Sequence, residues 1–193
     1  MAITSLPSVY LVRHGETAWS RSGQHTGLTD IPLTEQGEQN AQGLQPRLSG
    51  KTFSRVFNSP LQRASRTCIL AGFGPLATSD PDLVEWNYGT YEGKTTAEIH
   101  RLRPDWNLFQ HGCPEGESID EVGRRAARVV QRLRAVDGNV LVFSSSHFLR
   151  VLSAVWLGWT AAEGRLFVLD TASISILGYE HELSSPVIRQ WNT

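Results

Sequence analysis

The chain has 193 residues, 40% of them hydrophobic and 19% charged. That is enough for one well-filled domain and too apolar and evenly mixed for disorder. Its net charge of −1 argues against a nucleic-acid or membrane-surface partner. The longest uncharged run, Thr67 to Ser79, falls short of the ~20 residues that a membrane-spanning helix needs. Met1 to Pro7 has neither the basic start nor the apolar core of a signal peptide. Two cysteines, Cys68 and Cys113, make no disulfide framework and no metal-ligand spacing. The expected setting is reducing and cytoplasmic. All basic residues except Lys51 and Lys94 are arginine, which supplies planar forks for phosphate wherever one is placed to use them.

In chain order, Val9 to Val12 is a short apolar strand that ends abruptly in Arg13-His14-Gly15-Glu16. A loop runs to Leu33, and Thr34 caps a helix from about Glu35 to Ser49, which Pro46 should kink or shorten. Phe53 to Phe57 reads as a second strand. Ser59-Pro60, an N-cap followed by proline, starts a helix to Ala71. Leu83-Val84 reads as a short strand leading into Glu85. Thr95 to Glu98 and Ser118 to Glu121 are capping boxes. The first opens a short helix stopped before Pro104, the second a long one to about Val136. In the long helix Val122, Ala126, Val129, Val130 and Leu133 form the buried stripe, and Arg124, Arg125, Arg128, Arg132 and Arg134 read as a solvated face. Val140 to Phe143 is a strand ended by Ser144 to His147, with a helix after it closed by Gly158. Ser173 to Tyr179 and Pro186 to Trp191 are the last strands.

This alternation predicts an α/β fold: a mostly parallel sheet with helices on both faces and an antiparallel edge. We expect a single domain over residues 1–193, with a small cap insertion at about 90–118. In such sheets ligands bind beyond the carboxyl ends of the strands. Arg13 and His14, Glu85, and the Ser144 to His147 turn fall at such ends, and Arg63 lies in the first turn of the helix after the second strand. An imidazole nucleophile between two guanidinium groups, with a carboxyl group to protonate a leaving oxygen, suits phosphoryl transfer. None of this chemistry calls for a metal or another cofactor.

Leu11-Val12-Arg13-His14-Gly15-Glu16-Thr17 resembles the signature of the histidine phosphatase superfamily, which includes the phosphoglycerate mutases. Gln24 to Thr34 resembles that family's phosphate-covering loop. Ser59-Pro60-Leu61-Gln62-Arg63-Ala64 resembles its Ser-Pro-x-x-Arg-Ala element, and Glu85-Trp86-Asn87-Tyr88-Gly89-Thr90-Tyr91-Glu92-Gly93 its Glu-x-x-Tyr-Gly-x-Tyr-Glu-Gly stretch. Gly112 to Ser118 is similar to a further element before the long helix. The resemblance makes His14 the phosphorylated nucleophile and Glu85 the proton donor. Arg13 and Arg63 become the phosphate ligands, and Thr26 and Gly27 the entrance. Ser20, Tyr88 and Ser146 are further candidates for binding substrate.

One departure stands out. Where the family carries a His-Gly pair, this chain aligns Ser145 and Ser146, with His147 after them. Either His147 reaches the phosphate from a shifted turn or Ser145 donates a hydrogen bond in place of an imidazole, and the first is preferred. The short cap and the Glu85-Trp86 segment resemble the sugar-phosphate phosphatases more than the mutases. The resulting expectation is a metal-independent phosphomonoesterase acting on a small phosphorylated metabolite. A bisphosphoglycerate-dependent mutase and a weakened, phosphate-binding member are the alternatives. Trp19, Trp86 and Tyr88 are candidates to stack on a sugar. The last strand, with Tyr179, offers an edge for a homodimer.

Overall fold

Val9 to Arg13 forms β1, and its neighbours explain its uninterrupted apolar run. In the computed structural model, which describes residues 6–193, β1 pairs in parallel with β4 (Val140–Ser144). On its other side it pairs antiparallel with β5 (Ile174–Tyr179). The N-terminal stretch read for a leader lies largely in residues 1–5, outside the described residues. The six strands run in the order β3-β2-β4-β1-β5-β6, where β2 is Arg55–Asn58, β3 is Ala77–Ser79 and β6 is Pro186–Gln190. The pairs β1–β4, β2–β4 and β2–β3 are parallel, whereas β1–β5 and β5–β6 are antiparallel. The sheet is therefore mostly parallel, as expected, and its antiparallel part extends inward to β1.

Side-chain alternation sorts the strand residues onto two covered faces. Leu11, Val140 and Val142 pack into one cluster with Val122, Ala126, Val129 and Leu133 of α7 (Ile119–Arg134) and with Phe148, Val151 and Leu152 of α8 (Ser146–Trp156). Val12, Leu141 and Phe143 point the other way. They meet Leu44 and Leu48 of α3 (Leu44–Leu48) and Cys68 of α4 (Gln62–Leu70). The segment read as a cap holds α5 (Thr96–Leu102) and α6 (Leu108–His111), and its Ile99, Trp106 and Phe109 join the first cluster.

Several boundaries differ from the expectations. The helix expected from Glu35 to Ser49 is two, α2 (Glu35–Gln42) and α3, broken at Gly43, and Pro46 is accommodated within the first turn of α3. Ser59 is not the cap of α4; Leu61 holds that position, without a side-chain cap bond. Leu83-Val84 is no strand: Pro81–Leu83 is a 3-10 turn capped by Asp80, and the third strand is β3. At three residues, β3 is too short for a two-residue periodicity to reveal. A short helix, α1 (Ala18–Ser22), forms directly after the first motif on the Thr17–Ser20 capping box. Tyr179 packs inside against Trp156, at 5.2 Å between rings, so the exposed edge is left to β6 without it. Among the described residues no helix is long and apolar enough to cross a membrane.

The Gly15 in the first motif has a steric reason. α2 begins against it so closely that a Cβ on Gly15 would lie 2.3 Å from the Gly37 carbonyl oxygen, and one on Gly37 would lie 2.0 Å from that of Glu16. Thr34, the cap of α2, adds bonds from its amide to the Glu16 carbonyl (2.9 Å) and from its hydroxyl to the Glu16 carboxylate (2.7 Å). Two glycines at one crossing let the helix start brace the loop that carries His14.

Candidate active site

The β1–β4 register sets Arg13 beside Ser144, so the chain leaves both strands at one point of the sheet edge. The His14 amide donates to the Ser144 carbonyl (3.0 Å) across that point. There the side chains surround a cavity of about 330 Å³ lined by Arg13, His14, Ser20, Thr26, Glu85, Tyr88, Ser146 and His147, among others. That volume is at the small end for metabolite sites. Among the described residues, no three His, Cys, Asp or Glu side chains gather as metal ligands.

His14 is buried, and its Nδ1 lies 2.7 Å from the Gly15 carbonyl oxygen. A carbonyl only accepts, so Nδ1 carries the proton and the Nε2 lone pair is free. Burial first, then the charges of Arg63 and Arg13, hold its pKa well below the usual imidazole range. The ring is neutral at pH 7.

Glu85 is buried and bonded to backbone amides alone. Oε1 accepts from Trp86 (2.9 Å) and Phe148 (2.7 Å), and Oε2 from His147 (2.9 Å). Two of these donors are first-turn amides of α8 that the helix cannot satisfy internally, so the carboxylate also serves as the cap of that helix. Arg125 holds the Glu85 segment in place. Its guanidinium donates to the carbonyls of Asp82, Val84 and Glu85 and pairs with Glu117 at 2.7 Å. Assigning Arg125 to a solvated face is thus corrected, since it is 7% exposed. Arg128 and Arg132 do reach solvent, and both pair with Asp82 in the preceding turn.

His147 faces the cavity and stands 4.0 Å from Glu85 Oε2, while its Nδ1 lies 2.5 Å from the Tyr88 hydroxyl. Burial pushes the Tyr88 hydroxyl well above its ordinary range. The phenol therefore keeps its proton, and His147 Nδ1 is its one acceptor among the described residues, so we assign the remaining imidazole proton to Nε2. Burial, with Arg150, His25 and Arg13 nearby, lowers the His147 pKa well below the usual range. His147 is a neutral donor.

The other candidates are placed unevenly. Arg63 is fully buried beneath the loop, outside the cavity lining. Its guanidinium donates to the carbonyls of Thr26 (3.2 Å), Gly27 (2.7 Å) and Thr29 (3.0 Å). The Gly27 amide is engaged by Glu92 at 2.8 Å, so that residue too stands behind the cavity, while Thr26 lines it. Ser20 lines the cavity, but its hydroxyl is committed to Thr17. Ser146 lines it with only a 3.5 Å contact to the Leu169 carbonyl. Ser145 is the N-cap of α8 but makes no capping bond, and its hydroxyl is buried without a partner. The only other buried side-chain polar atoms without partners, among the described residues, are the Nε atoms of Arg13 and Arg63. Trp86 is core, at 0% exposed, and Trp19 packs toward Gly93; neither lines the cavity, whereas Tyr88 does.

Among the cavity residues that sequence reasoning missed, three are basic or titratable: His25, Arg150 and Arg165. Burial lowers His25 to about 4. It sits inside the loop singled out for its likeness to the phosphate-covering loop. Arg150 follows His147 by one helical turn, a spacing that marks a shared face. Arg165 lies in a 3-10 turn (Ala161–Leu166) and carries no such signal.

A model of the histidine phosphatase superfamily (branch 1) matches residues 9–193. The chain belongs to that family. It is 42% identical to an acid phosphatase of Mycobacterium tuberculosis, over 89% of this chain and 86% of that protein. A sedoheptulose 1,7-bisphosphatase of Saccharomyces cerevisiae is 35% identical, over 79% of this chain and 68% of that protein. The solved structure of an open reading frame from M. tuberculosis superimposes with a TM-score of 0.91 at 38% identity, covering 96% of this chain and 97% of that one. Family membership and these relatives make the chain a phosphatase.

Proposed function

We propose that this phosphatase hydrolyses small sugar phosphates through a phosphohistidine at His14. The observation that carries the reading is the state of His14: neutral, its Nδ1 proton held by Gly15, its Nε2 lone pair free at the cavity and two guanidinium groups close behind. Nε2 attacks phosphorus, the ester P–O bond breaks, and the leaving oxygen takes the proton that the phosphomonoester monoanion has passed to Glu85 Oε2, the carboxyl oxygen that accepts only one amide. Water then attacks the phosphohistidine and gives a proton to the Glu85 carboxylate, which returns it to the departing phosphate. The P–N bond breaks, and inorganic phosphate leaves a neutral imidazole. Arg13 lines the cavity and balances the phosphoryl charge there, Arg63 adds its charge from behind, and the Ser145 hydroxyl, unpartnered beside the lining residue Ser146, is the donor in place of an imidazole. His147 donates from Nε2, with Tyr88 fixing its tautomer.

A sugar phosphate suits the small cavity with its mixture of imidazole, phenol and hydroxyl groups, and the name of the yeast relative points the same way. The unpartnered Ser145 hydroxyl favours one second reading, a family member of lowered turnover, because a neutral donor stabilises phosphoryl charge less than a cation does. The test is phosphate release from a sugar-phosphate panel in EDTA, with His14→Ala alongside. Release by the wild type alone, with an acid-labile phosphoryl group trapped on His14, is expected. Release that persists in His14→Ala rules the mechanism out. Binding of inorganic phosphate without release supports the second reading.

A further inference from the structure

We propose that Arg150 and Arg165 form a second anion subsite at the cavity mouth, selecting phosphomonoesters that carry another phosphate or carboxylate on the leaving portion. This inference rests on the hydrolase reading of His14 and names its substrate class.

Three arginines line the cavity, Arg13, Arg150 and Arg165, against a single carboxylate, Glu85. Arg13 adjoins His14 in sequence and serves the reacting phosphoryl group, with Arg63 behind it. The other two are surplus to one phosphate. Among the described residues, neither Arg150 nor Arg165 has a carboxylate within 4.0 Å. Glu163 is the acid that senses Arg165, but it lies outside the lining and accepts the Thr160 hydroxyl at 2.5 Å. His25 and His147, which also line the cavity, are neutral, so an incoming anion is drawn toward the arginines.

The pair is held in place by packing. Side chains of a helix lean toward its N-terminus, so Arg150, one turn past His147, shares its side of the cavity. Its Nε donates to the Gly164 carbonyl at 3.0 Å, and its guanidinium lies 4.6 Å from the Phe109 ring centre. Gly164 lets the 3-10 turn seat directly on α8: a Cβ there would stand 2.7 Å from Phe109 Cε1 and 3.2 Å from the Val151 nitrogen. That seating brings Arg165, exposed and making no side-chain hydrogen bond among the described residues, beside Arg150. One guanidinium is thus fixed and half-buried, while the other is free to close on a ligand.

The experiment compares matched pairs: fructose 6-phosphate with fructose 1,6-bisphosphate, and glucose 6-phosphate with 6-phosphogluconate. The expected wild-type preference in kcat/KM is about tenfold for the doubly anionic member, beyond the factor of two that a second ester supplies. Arg165→Gln should cut that preference about fivefold, roughly the worth of one solvent-facing charged contact, while Arg165→Lys retains most of it. Raising the ionic strength should shrink it, because the contact faces solvent. A preference confined to one pair still supports the subsite and tells phosphate from carboxylate. No preference in either pair, or an Arg165→Gln effect equal on both members, overturns it. Calorimetry on His14→Ala with the same ligands separates this outcome from a failure of the hydrolase reading. Tighter binding of the doubly anionic ligand upholds the subsite even where wild type releases no phosphate, and equal affinities overturn it.

Discussion

Glu85→Gln separates the leaving-group protonation proposed for this residue from its observed capping of α8. Glutamine is nearly isosteric and its oxygen can still take the two amides now on Oε1, from Trp86 and Phe148. Its NH₂ then faces the His147 amide, and donor meets donor where a 2.9 Å bond stood. Each retained bond falls from a charged to a neutral acceptor, about 1 kcal/mol apiece, and the lost one forfeits about 1.5–3 kcal/mol. A total near 4 kcal/mol corresponds to a melting temperature lower by roughly 10 °C in a domain of this size. General-acid catalysis is worth about 10²- to 10⁴-fold, but only where the leaving oxygen needs a proton. The variant should therefore lose about 10³-fold on an alkyl phosphate and less than tenfold on p-nitrophenyl phosphate, whose phenolate departs unaided. Steady-state kcat/KM for both substrates, which ends at ester cleavage and leaves out the later proton return to Glu85, reads the difference well below the new melting point. An equal loss on the two would mean that the damage is to the α8 terminus and that Glu85 protonates nothing.

The histidines predict two pH effects. Because burial and Arg63 hold His14 well below the usual range, kcat/KM should keep its plateau through pH 6.5 and fall only at lower pH, as a pH–rate profile would show. The unfolded chain takes up the His25 proton near pH 6.5 and the folded protein only near 4. Stability is thus complete above 6.5 and declines as pH falls toward 4, by roughly 3 kcal/mol from this group. Urea unfolding at pH 7 and 4.5 should show a smaller difference for His25→Gln than for wild type; equal differences contradict the assignment. Arg125→Met leaves Glu117 without its partner and the carbonyls of residues 82, 84 and 85 without a donor, and should cost about 3–5 kcal/mol by urea unfolding. It should also lower kcat on alkyl phosphates more than on p-nitrophenyl phosphate, as Glu85 drifts. Gly37→Ala puts a Cβ 2.0 Å from a backbone oxygen, and should unfold at a melting temperature lower by several degrees, with His14 displaced and release reduced on every substrate.

What was legible in the sequence was local. A four-residue apolar run cut off by Arg13-His14 identifies a strand end without reference to the rest of the chain, and the Thr95 and Ser118 capping boxes close within their own first turns. Glu85 was found, but the reason given for its position was wrong. No strand delivers it; a 3-10 turn does, held by Arg125 from 40 residues away in sequence. Arg125 did leave a trace, because it falls between Val122, Ala126 and Val129 on the apolar stripe, where a solvated arginine has no place. Arg63 was read as a base pointing at the sheet edge. The loop that takes its Nη1 and Nη2 groups and leaves Nε without a partner comes from residues 26–29, and that pairing has no local signature.

Ser145 and Glu85 are best understood together. A serine at an N-cap ordinarily turns its oxygen to an amide of the first turn. Here those amides, from His147 and Phe148, are already taken by Glu85, so a Ser145 cap bond would be redundant. The hydroxyl is left buried with no partner, a condition that costs about 1–3 kcal/mol. Arg13 Nε and Arg63 Nε share it. A packed interior would ordinarily remove such groups or pair them. All three belong to segments that meet near His14, and the proposed phosphoryl binding would give them an acceptor. By this logic Ser145→Ala should leave the free protein no less stable, because the hydroxyl makes no bond there, and should weaken inorganic phosphate binding several-fold. A variant that is destabilised while binding phosphate as wild type does would show that the hydroxyl serves the fold and not the ligand.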